Sequence, residues 1–470
     1  MPSNSRPLLL AEIFARHDPT RDAVVCGEER RSFGWLDEES ARHAGWLASR
    51  GVRHGDLVAF ALPNGADFFA LTFAIYRCGA IPAPLSPKLS ERERTEILEL
   101  LAPRVFVEQE NLPTGTVPGA PSCEEHEPSP SWKACTSGGS SGRPKVIVDA
   151  RPAAFPPEMQ FVGIPADSRV LVPGPLYHNA TFGCSVFALW RGSTVVTMPR
   201  FDAMDALALI ADEHIEWALM VPTMMSRILE IPPSERDRHD LSQWKIVVHT
   251  AAPMAPVTKR AWIDWRGVDH IWEVYGATEG LVRCWIGGDE WLERPGSVGR
   301  PLGGARLRIL DENGEELPPG TAGEIFAMPP GGPRSTYRYI GAARNATPDG
   351  WESIGDAGWL DEDGYLFLTD RKDDMIISGG VNIWPAEVEA ALMEHPQIRS
   401  CAVYGIPDAD LGARVHAVIE SDADLTLKSL GSFLSDRLSR PKHPRSFDLR
   451  TDPVRDDAGK FRKPRIKAGR

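Results

Sequence analysis

The order of segments constrains this chain most: strand, then helix, then strand, repeated through the first half. Asp22–Cys26 is a run of strand formers, and residues 36–50 carry apolar positions at helical spacing before a stop at Gly51. Residues 56–62 form a second apolar strand, followed by a helix to Arg77 and a stop at Gly79. The same short strands recur at Arg169–Val172, 193–198, 215–221 and 245–249. Strands separated by helices pair in parallel, so the pattern predicts layered α/β structure. At 470 residues the chain exceeds one ordinary core and divides into two or three units.

Past residue 296 the character changes. Asp311-Glu312-Asn313-Gly314 and Asp361-Glu362-Asp363-Gly364 read as hairpin turns between short alternating strands. The charged stretch Asp370-Arg371-Lys372-Asp373-Asp374 reads as a hinge, and from Ile376 onward the chain reads as a small α+β unit. Its helix opens at Pro385, with Glu387 and Glu389 in the first turns, where the helix dipole favours acids. The expected division is a large domain over residues 1–370 and a small one over 371–470. Residues 111–131, rich in Pro, Gly and Glu, read as a surface connector.

Charge narrows the partners. Lys plus Arg number 52 against 65 Asp plus Glu, a net charge of −13 that argues against nucleic acid or an anionic membrane. Seven scattered cysteines without a C-x-x-C pair read as free thiols, and no histidine spacing suggests zinc. Leu8-Leu9-Leu10 is cut off by Glu12, and the longest apolar stretch, 68–76, is too short to cross a bilayer. Cytoplasmic is the default expectation, and a homodimer stays open.

Chemistry first shows in Thr136-Ser137-Gly138-Gly139-Ser140-Ser141-Gly142-Arg143-Pro144-Lys145. Glycine lets backbone N–H groups turn toward an anion, hydroxyls add donors and lysine adds charge, so the segment reads as a phosphate cradle. It is not a Walker loop, because Arg143 and Pro144 separate Gly142 from Lys145 and Val146 follows. A flexible Gly/Ser linker is the bland alternative.

The string resembles the Thr-Ser-Gly-x-x-x-Gly-x-Pro-Lys signature of the adenylate-forming superfamily, which includes acyl-CoA synthetases, peptide-synthetase adenylation domains and luciferases. Gly139 stands where Ser or Thr is usual, and Val146 replaces a customary Gly. The resemblance implies that Thr136, Ser137, Gly138, Ser140, Ser141, Gly142 and Lys145 hold the phosphates of ATP. Tyr275-Gly276-Ala277-Thr278-Glu279 resembles the Tyr-Gly-x-Thr-Glu segment. By that likeness Tyr275 stacks on adenine, Gly276 lines the nucleotide and acyl sites, Thr278 touches phosphate and Glu279 holds Mg2+. Asp356, in Ser353-Ile354-Gly355-Asp356, resembles the acid that accepts both ribose hydroxyls, and Arg371 the arginine that also reaches the ribose. Lys460, in a Gly-Lys ending, resembles the lysine that bridges substrate carboxylate and phosphate.

The same likeness makes Asp373 the hinge and Gly379-Gly380 the turn along the coenzyme A path, where a side chain would block a narrow channel. Pro175-Leu176-Tyr177-His178-Asn179 resembles the loop whose His178 gates the acyl pocket beside Tyr177. Thr250-Ala251-Ala252 resembles the strip shared by adenine and acyl sites. Stretches around Pro173, Val221, Trp262 and Trp291 resemble the branch of bile-acid-type and other polycyclic-acid CoA ligases, where Gly139 is familiar.

The implied fold is a large domain of layered α/β subdomains with a β-barrel-like part, followed by a small mobile α+β domain. The implied activity is ATP-dependent formation of an acyl-AMP from a bulky acid, then transfer to coenzyme A. Two rivals stand beside it. One is a stand-alone adenylation enzyme loading a carrier protein; an α-amino acid substrate is disfavoured because Asn179-Ala180-Thr181-Phe182 offers no carboxylate for an amino group. The other is a non-catalytic nucleotide-binding relative, opposed by the joint retention of Glu279, Asp356, Arg371 and Lys460.

Overall fold

The computed structural model describes residues 6–113, 127–138, 144–371, 374–408, 410–456 and 459–461. Its main sheet has a parallel heart, in spatial order Asp22–Cys26, Thr194–Thr197, Arg169–Val172, Trp217–Met220, Ile246–His249 and Ile271–Gly276. The two-residue alternation of these strands sorts the faces. Val24, Val170, Val172, Trp217, Leu219 and Val248 enter the core under helices Phe33–Ser49, Ala66–Arg77 and Asn179–Trp190. Their neighbours Val25, Leu171, Ala218, Met220 and Val247 enter the core under Ala203–Asp212, Pro222–Glu230 and Pro256–Arg266. Both faces are covered, as a parallel sheet requires. A smaller parallel sheet joins Ile81–Pro84, Leu57–Ala61 and Val105–Glu108.

Beyond Ile271–Gly276 the sheet continues in antiparallel fashion through Arg283–Gly287, Ser297–Pro301, Leu366–Arg371, Glu352–Leu360, Gly323–Met328 and Arg306–Leu310. A separate antiparallel sheet, Ala134–Gly138, Pro144–Asp149 and Tyr337–Ile340, packs Ile147 and Tyr337 against Ile309, Ile325, Ala327 and Leu366. Two sheets around one apolar filling make up the barrel-like part.

The turn at Asp361–Gly364 joins Glu352–Leu360 to Leu366–Arg371 as a hairpin, with Asp361 N–H donating to Tyr365 O at 3.0 Å. The turn at Asp311–Gly314 differs from its expected role. It closes on itself, Asp311 N–H to Glu315 O at 2.9 Å, but only one bridge, Leu310 to Glu316, follows before pairing breaks. Pro318 and Pro319 lack the N–H that a ladder needs, so the partner strand starts only at Gly323.

The C-terminal unit has its own sheet: Val381–Ile383, Ile376–Ser378, Gly412–Glu420 and Ser400–Asp408, with Ser446–Arg450 parallel to Gly412–Glu420. It also has its own core, including Val388 and Leu392 of helix Pro385–Met393 and Leu430 and Leu434 of Leu427–Leu434. A unit with a private core can move as one body. Glu387 accepts from the Trp384 N–H at the start of its helix, as the dipole argument expects. Glu389 instead reaches across to the Val403 N–H at 2.8 Å and the Arg455 guanidinium at 2.7 Å. Among the described residues no helix is long and apolar enough to cross a membrane.

Candidate active site

In a parallel sheet the connections that leave the carboxyl ends of the strands gather along one edge, the usual place for a ligand. Here that edge assembles Pro173-Gly174-Pro175, Val221-Pro222-Thr223, Thr250-Ala251-Ala252 and Tyr275-Gly276. Ala251 adopts φ +77°, a left-handed conformation that costs a residue with a Cβ roughly 1–2 kcal/mol. Strain of this kind collects at functional edges.

The corner that the sequence assigns to phosphate is built by strand pairing. Thr136 lies across from Val146, Ser137 from Lys145 and Gly138 from Pro144, so the loop between them starts and ends on adjacent strands. Ser140, Ser141 and Gly142 lie outside the described residues. Lys145 Nζ is 3.2 Å from Glu279 Oε1, donates to the Tyr339 hydroxyl at 2.9 Å, and sits 4.2 Å from that ring's centre. The Tyr339 hydroxyl donates in turn to Glu279 Oε1 at 2.6 Å. Burial and the adjacent carboxylate push the Tyr339 phenol well above its usual range, so it stays a donor. Glu279 is only 6% exposed and follows Thr278 in the turn after strand Ile271–Gly276. A hard carboxylate beside a phosphate loop fits Mg2+, which takes one or two carboxylates and fills its shell with phosphate and water.

At the corner that the sequence assigns to the nucleoside, the Tyr275 hydroxyl donates to Asp356 Oδ2 at 2.7 Å. Asp356 in turn pairs in register with Arg371, the last residue of its strand. Ring, carboxylate and arginine position thus meet across three strands. Asp373 lies outside the described residues.

On the side that the sequence assigns to the acid, His178 is the residue before helix Asn179–Trp190, and its ring centre lies 4.4 Å from that of Tyr177. Both are half-buried at the strand edge, while Gly276 is exposed. A Cβ on Gly276 would come within 3.1 Å of Val282 O, so glycine keeps this wall thin.

The C-terminal unit reaches the same edge at the loop around Gly459, and helix Pro385–Met393 shares a cleft with Pro222, Thr223 and Ala252. Gly459, at φ +74°, is buried so closely that a Cβ there would lie 3.7 Å from Ala252 Cβ, Thr223 Oγ1 and Val221 Cβ. Lys460 follows at once, with its N–H on Asp456 Oδ1 at 2.9 Å. Arg455 braces the loop, donating to Cys401 O at 3.1 Å, Gly459 O at 3.2 Å and Glu389. Arg455 was not singled out from sequence; its position four residues before Gly459 was the available signal. Ala252, read from sequence as pocket wall, therefore also forms part of the contact between the two units.

Gly379 and Gly380 lie on the exposed surface at φ +57° and +81°. The turn itself calls for glycine, because both residues are left-handed. Ile377 and Val381 beside them are 55% and 36% exposed.

Behind the edge, Lys259, Glu273 and His249 form a buried cluster. Lys259 Nζ donates to Glu273 Oε2, and His249 Nε2 is 3.6 Å from the same oxygen. His249 and Glu273 face each other in adjacent strands, so the cluster pins the two strand ends that carry Ala251 and Tyr275. Burial lowers the His249 pKa to about 4 despite the acid nearby.

Residues 11–332 match the AMP-binding enzyme family, and residues 387–460 match the AMP-binding enzyme C-terminal domain. The chain is 29% identical over 454 residues to the 2-succinylbenzoate–CoA ligase of Bacillus licheniformis, covering 91% of this chain and 93% of that one. It is 27% identical to the fatty acid–[acyl-carrier-protein] ligase ScoC of Streptomyces coeruleorubidus, over 95% and 93% of the two chains. Its fold superposes on the O-succinylbenzoate coenzyme A synthetase of Bacillus subtilis solved with ATP and magnesium ion, with a TM-score of 0.79, 25% identity and 97% and 98% coverage. Matched over most of its length, the chain belongs to the AMP-binding enzyme family.

Proposed function

We propose that the substrate acid is bulky, an aryl-alkyl or fused-ring carboxylate, and that the chain is an ATP-dependent acid:CoA ligase acting on it in two steps. The acid's carboxylate attacks the α-phosphorus of ATP, the bond to pyrophosphate breaks, and acyl-AMP forms. A coenzyme A thiolate then attacks the acyl carbon and AMP leaves. The arrangement of Lys145, Glu279, Tyr275 and Asp356 around one edge, with the Lys460 loop docked on it, is the observation that carries this reading. In it, Lys145 and the phosphate loop hold the phosphates, Asp356 and Arg371 take the ribose, and the Tyr275 ring offers a face to adenine. Glu279 would hold Mg2+, which supplies charge neutralisation on the phosphates. Lys460 brings a cation to the point where two anions must meet. His178 and Tyr177 gate the acid's entry.

We assign the domain boundary to residues 370/371 and the hinge to Asp373, about which the small domain turns so that Gly379-Gly380 replaces Lys460. The free cysteines described and the net charge of −13 support a cytoplasmic setting with small-molecule partners. The founding test measures pyrophosphate release over a panel of carboxylic acids, with AMP and thioester formation followed with coenzyme A and, separately, with a phosphopantetheinylated carrier protein. Pyrophosphate release with none of the acids overturns the ligase reading. Transfer to the carrier but not to coenzyme A reassigns the acceptor. A clear preference for acetate or a long straight chain overturns the bulky acid.

Tyr339→Phe keeps the ring under Lys145 but removes the hydroxyl shared with Glu279. Losing one hydrogen bond to a charged group should slow pyrophosphate release about 10- to 100-fold, with little change in melting temperature. Full activity would mean that Glu279 needs no such support.

The acceptor path is tested at Gly380 by comparing two substitutions with the same backbone strain. Gly380→Ala carries only that strain, about 1–2 kcal/mol. Gly380→Trp adds bulk. The expected result is that both release pyrophosphate alike while only Gly380→Trp loses thioester formation. Equal behaviour in both steps would leave the glycine a turn residue.

A further inference from the structure

The opposite edge of the main sheet carries a cavity that the chemistry above does not use. It measures about 400 Å³ and is lined by Arg236, His239, Trp265, Arg266 and His270, with Asp237 the one acid in its wall. Leu241, also in the wall, precedes strand Ile246–His249, and His270 precedes strand Ile271–Gly276. The cavity thus sits where the chain enters the amino ends of these strands, whereas Ala251 and Tyr275 stand at their carboxyl ends. The strands themselves separate the two places, so a ligand here does not touch the atoms that react.

Arg236 is the unusual member. It is only 8% exposed, and its Nε and Nη1 are enclosed without an acceptor. Among the described residues no carboxylate pairs with it. Its guanidinium carbon lies 4.4 Å from the centre of the Trp265 ring, a contact that holds the charge in place and consumes no N–H. With Nε and Nη1 enclosed, Nη2 is the nitrogen left to meet the cavity. Arg266 lies against the same ring at 5.7 Å and donates to Leu241 O at 3.2 Å and Trp244 O at 2.9 Å, which fixes the loop around the cavity. Burial disfavours the charge on Arg266, with no acid named against it. His270 donates through Nδ1 to Lys245 O at 2.7 Å, which orients its ring and leaves Nε2 for another partner. A buried guanidinium without a countercharge is costly, and it keeps its proton regardless, so an anion is the partner that relieves it.

We propose that this cavity binds the phosphate of a small phosphate monoester. Two guanidinium groups and two imidazoles in one wall suit a dianion with three free oxygens better than a single carboxylate. The volume is that of a site for a small organic molecule, and Trp265 and Leu241 offer its carbon part an apolar wall. The ligand is therefore a second one, bound apart from ATP, acid and thiol.

The test is calorimetric titration of the full chain, at fixed ionic strength, with phenyl phosphate, glycerol 3-phosphate and inorganic phosphate. The tighter of the two esters should bind about tenfold more tightly than inorganic phosphate, the worth of roughly two buried methylene groups. Arg236→Met should weaken that ester about 10- to 100-fold, the scale of a hydrogen bond to a charged group. The same variant should keep the near-ultraviolet circular dichroism of the wild type. Lys145→Ala, which alters the other phosphate corner, should leave the affinity unchanged. His239→Ala should weaken the ester as well, and it decides the matter if Arg236→Met does not fold. No binding of either ester at millimolar concentration overturns the site. So does binding that survives Arg236→Met, or His239→Ala in its place, but is lost in Lys145→Ala. Inorganic phosphate binding as tightly as both esters overturns the organic ligand.

Discussion

Lys460→Ala should lower acyl-AMP formation about a thousandfold while a supplied acyl-AMP still yields thioester at close to the wild-type rate. One preorganised donor at a developing charge contributes about 100- to 1000-fold to a rate. Lys460 is asked to offset repulsion between two full anions, so the upper end is expected. The second step has no such meeting of anions, and the proposed swing would carry the lysine away from it. ATP–pyrophosphate exchange reads the first step, and a synthetic acyl-AMP with coenzyme A reads the second. Equal loss in both would make Lys460 a structural residue of its loop and remove the domain swing.

Lys259→Met should be the most damaging single change to stability, costing about 3–5 kcal/mol. The methionine fills much of the lysine's space, but it leaves Glu273 buried with one partner fewer. Lys259 is 1% exposed and Glu273 7%, so water cannot replace the lost bond. Lys259→Met with Glu273→Leu should recover most of the loss, because no unpaired charge then remains. Urea unfolding of the three proteins checks this. If the double variant is no better than the single one, packing rather than charge explains the cost.

The same cluster sets a pH dependence. The His249 pKa is depressed in the fold to about 4, from 6.5 unfolded. The unfolded chain therefore binds the proton more readily, so this stability is present above about 6.5 and is lost as pH falls toward 4. His43, likewise pushed by burial to about 4, adds to the same window. Unfolding midpoints at pH 7.5 and 5.5 should fall in that order.

Local pattern made much of this molecule legible. The parallel strands announce themselves by length and by the alternation that sends Val24 and Val25 to opposite cores. The phosphate, nucleoside and lysine segments are short strings whose residue types are tied to their chemistry. What stayed hidden depends on register between distant segments. Tyr339 reaches Lys145 only because Tyr337–Ile340 adds to the loop sheet beside Pro144–Asp149. Arg283 stands opposite Gly276 only through strand register, and nothing in its neighbours along the chain marks it. Ala252 read as pocket wall from the resemblance of its strip and from its small size. Its contact with Gly459 belongs to a second unit, so Ala252→Trp would disturb docking for every acid rather than select against large ones.

The exposed Ile377 and Val381 beside Gly379-Gly380 carry a consequence for temperature. A rotation that turns this glycine pair toward the large domain takes their side chains out of water, and burying apolar surface lowers heat capacity. The two orientations then respond differently to heat and cold, since apolar association weakens on cooling. Chilling should hold the enzyme with Lys460 inward and acyl-AMP accumulating, and warming should release it toward the thioester.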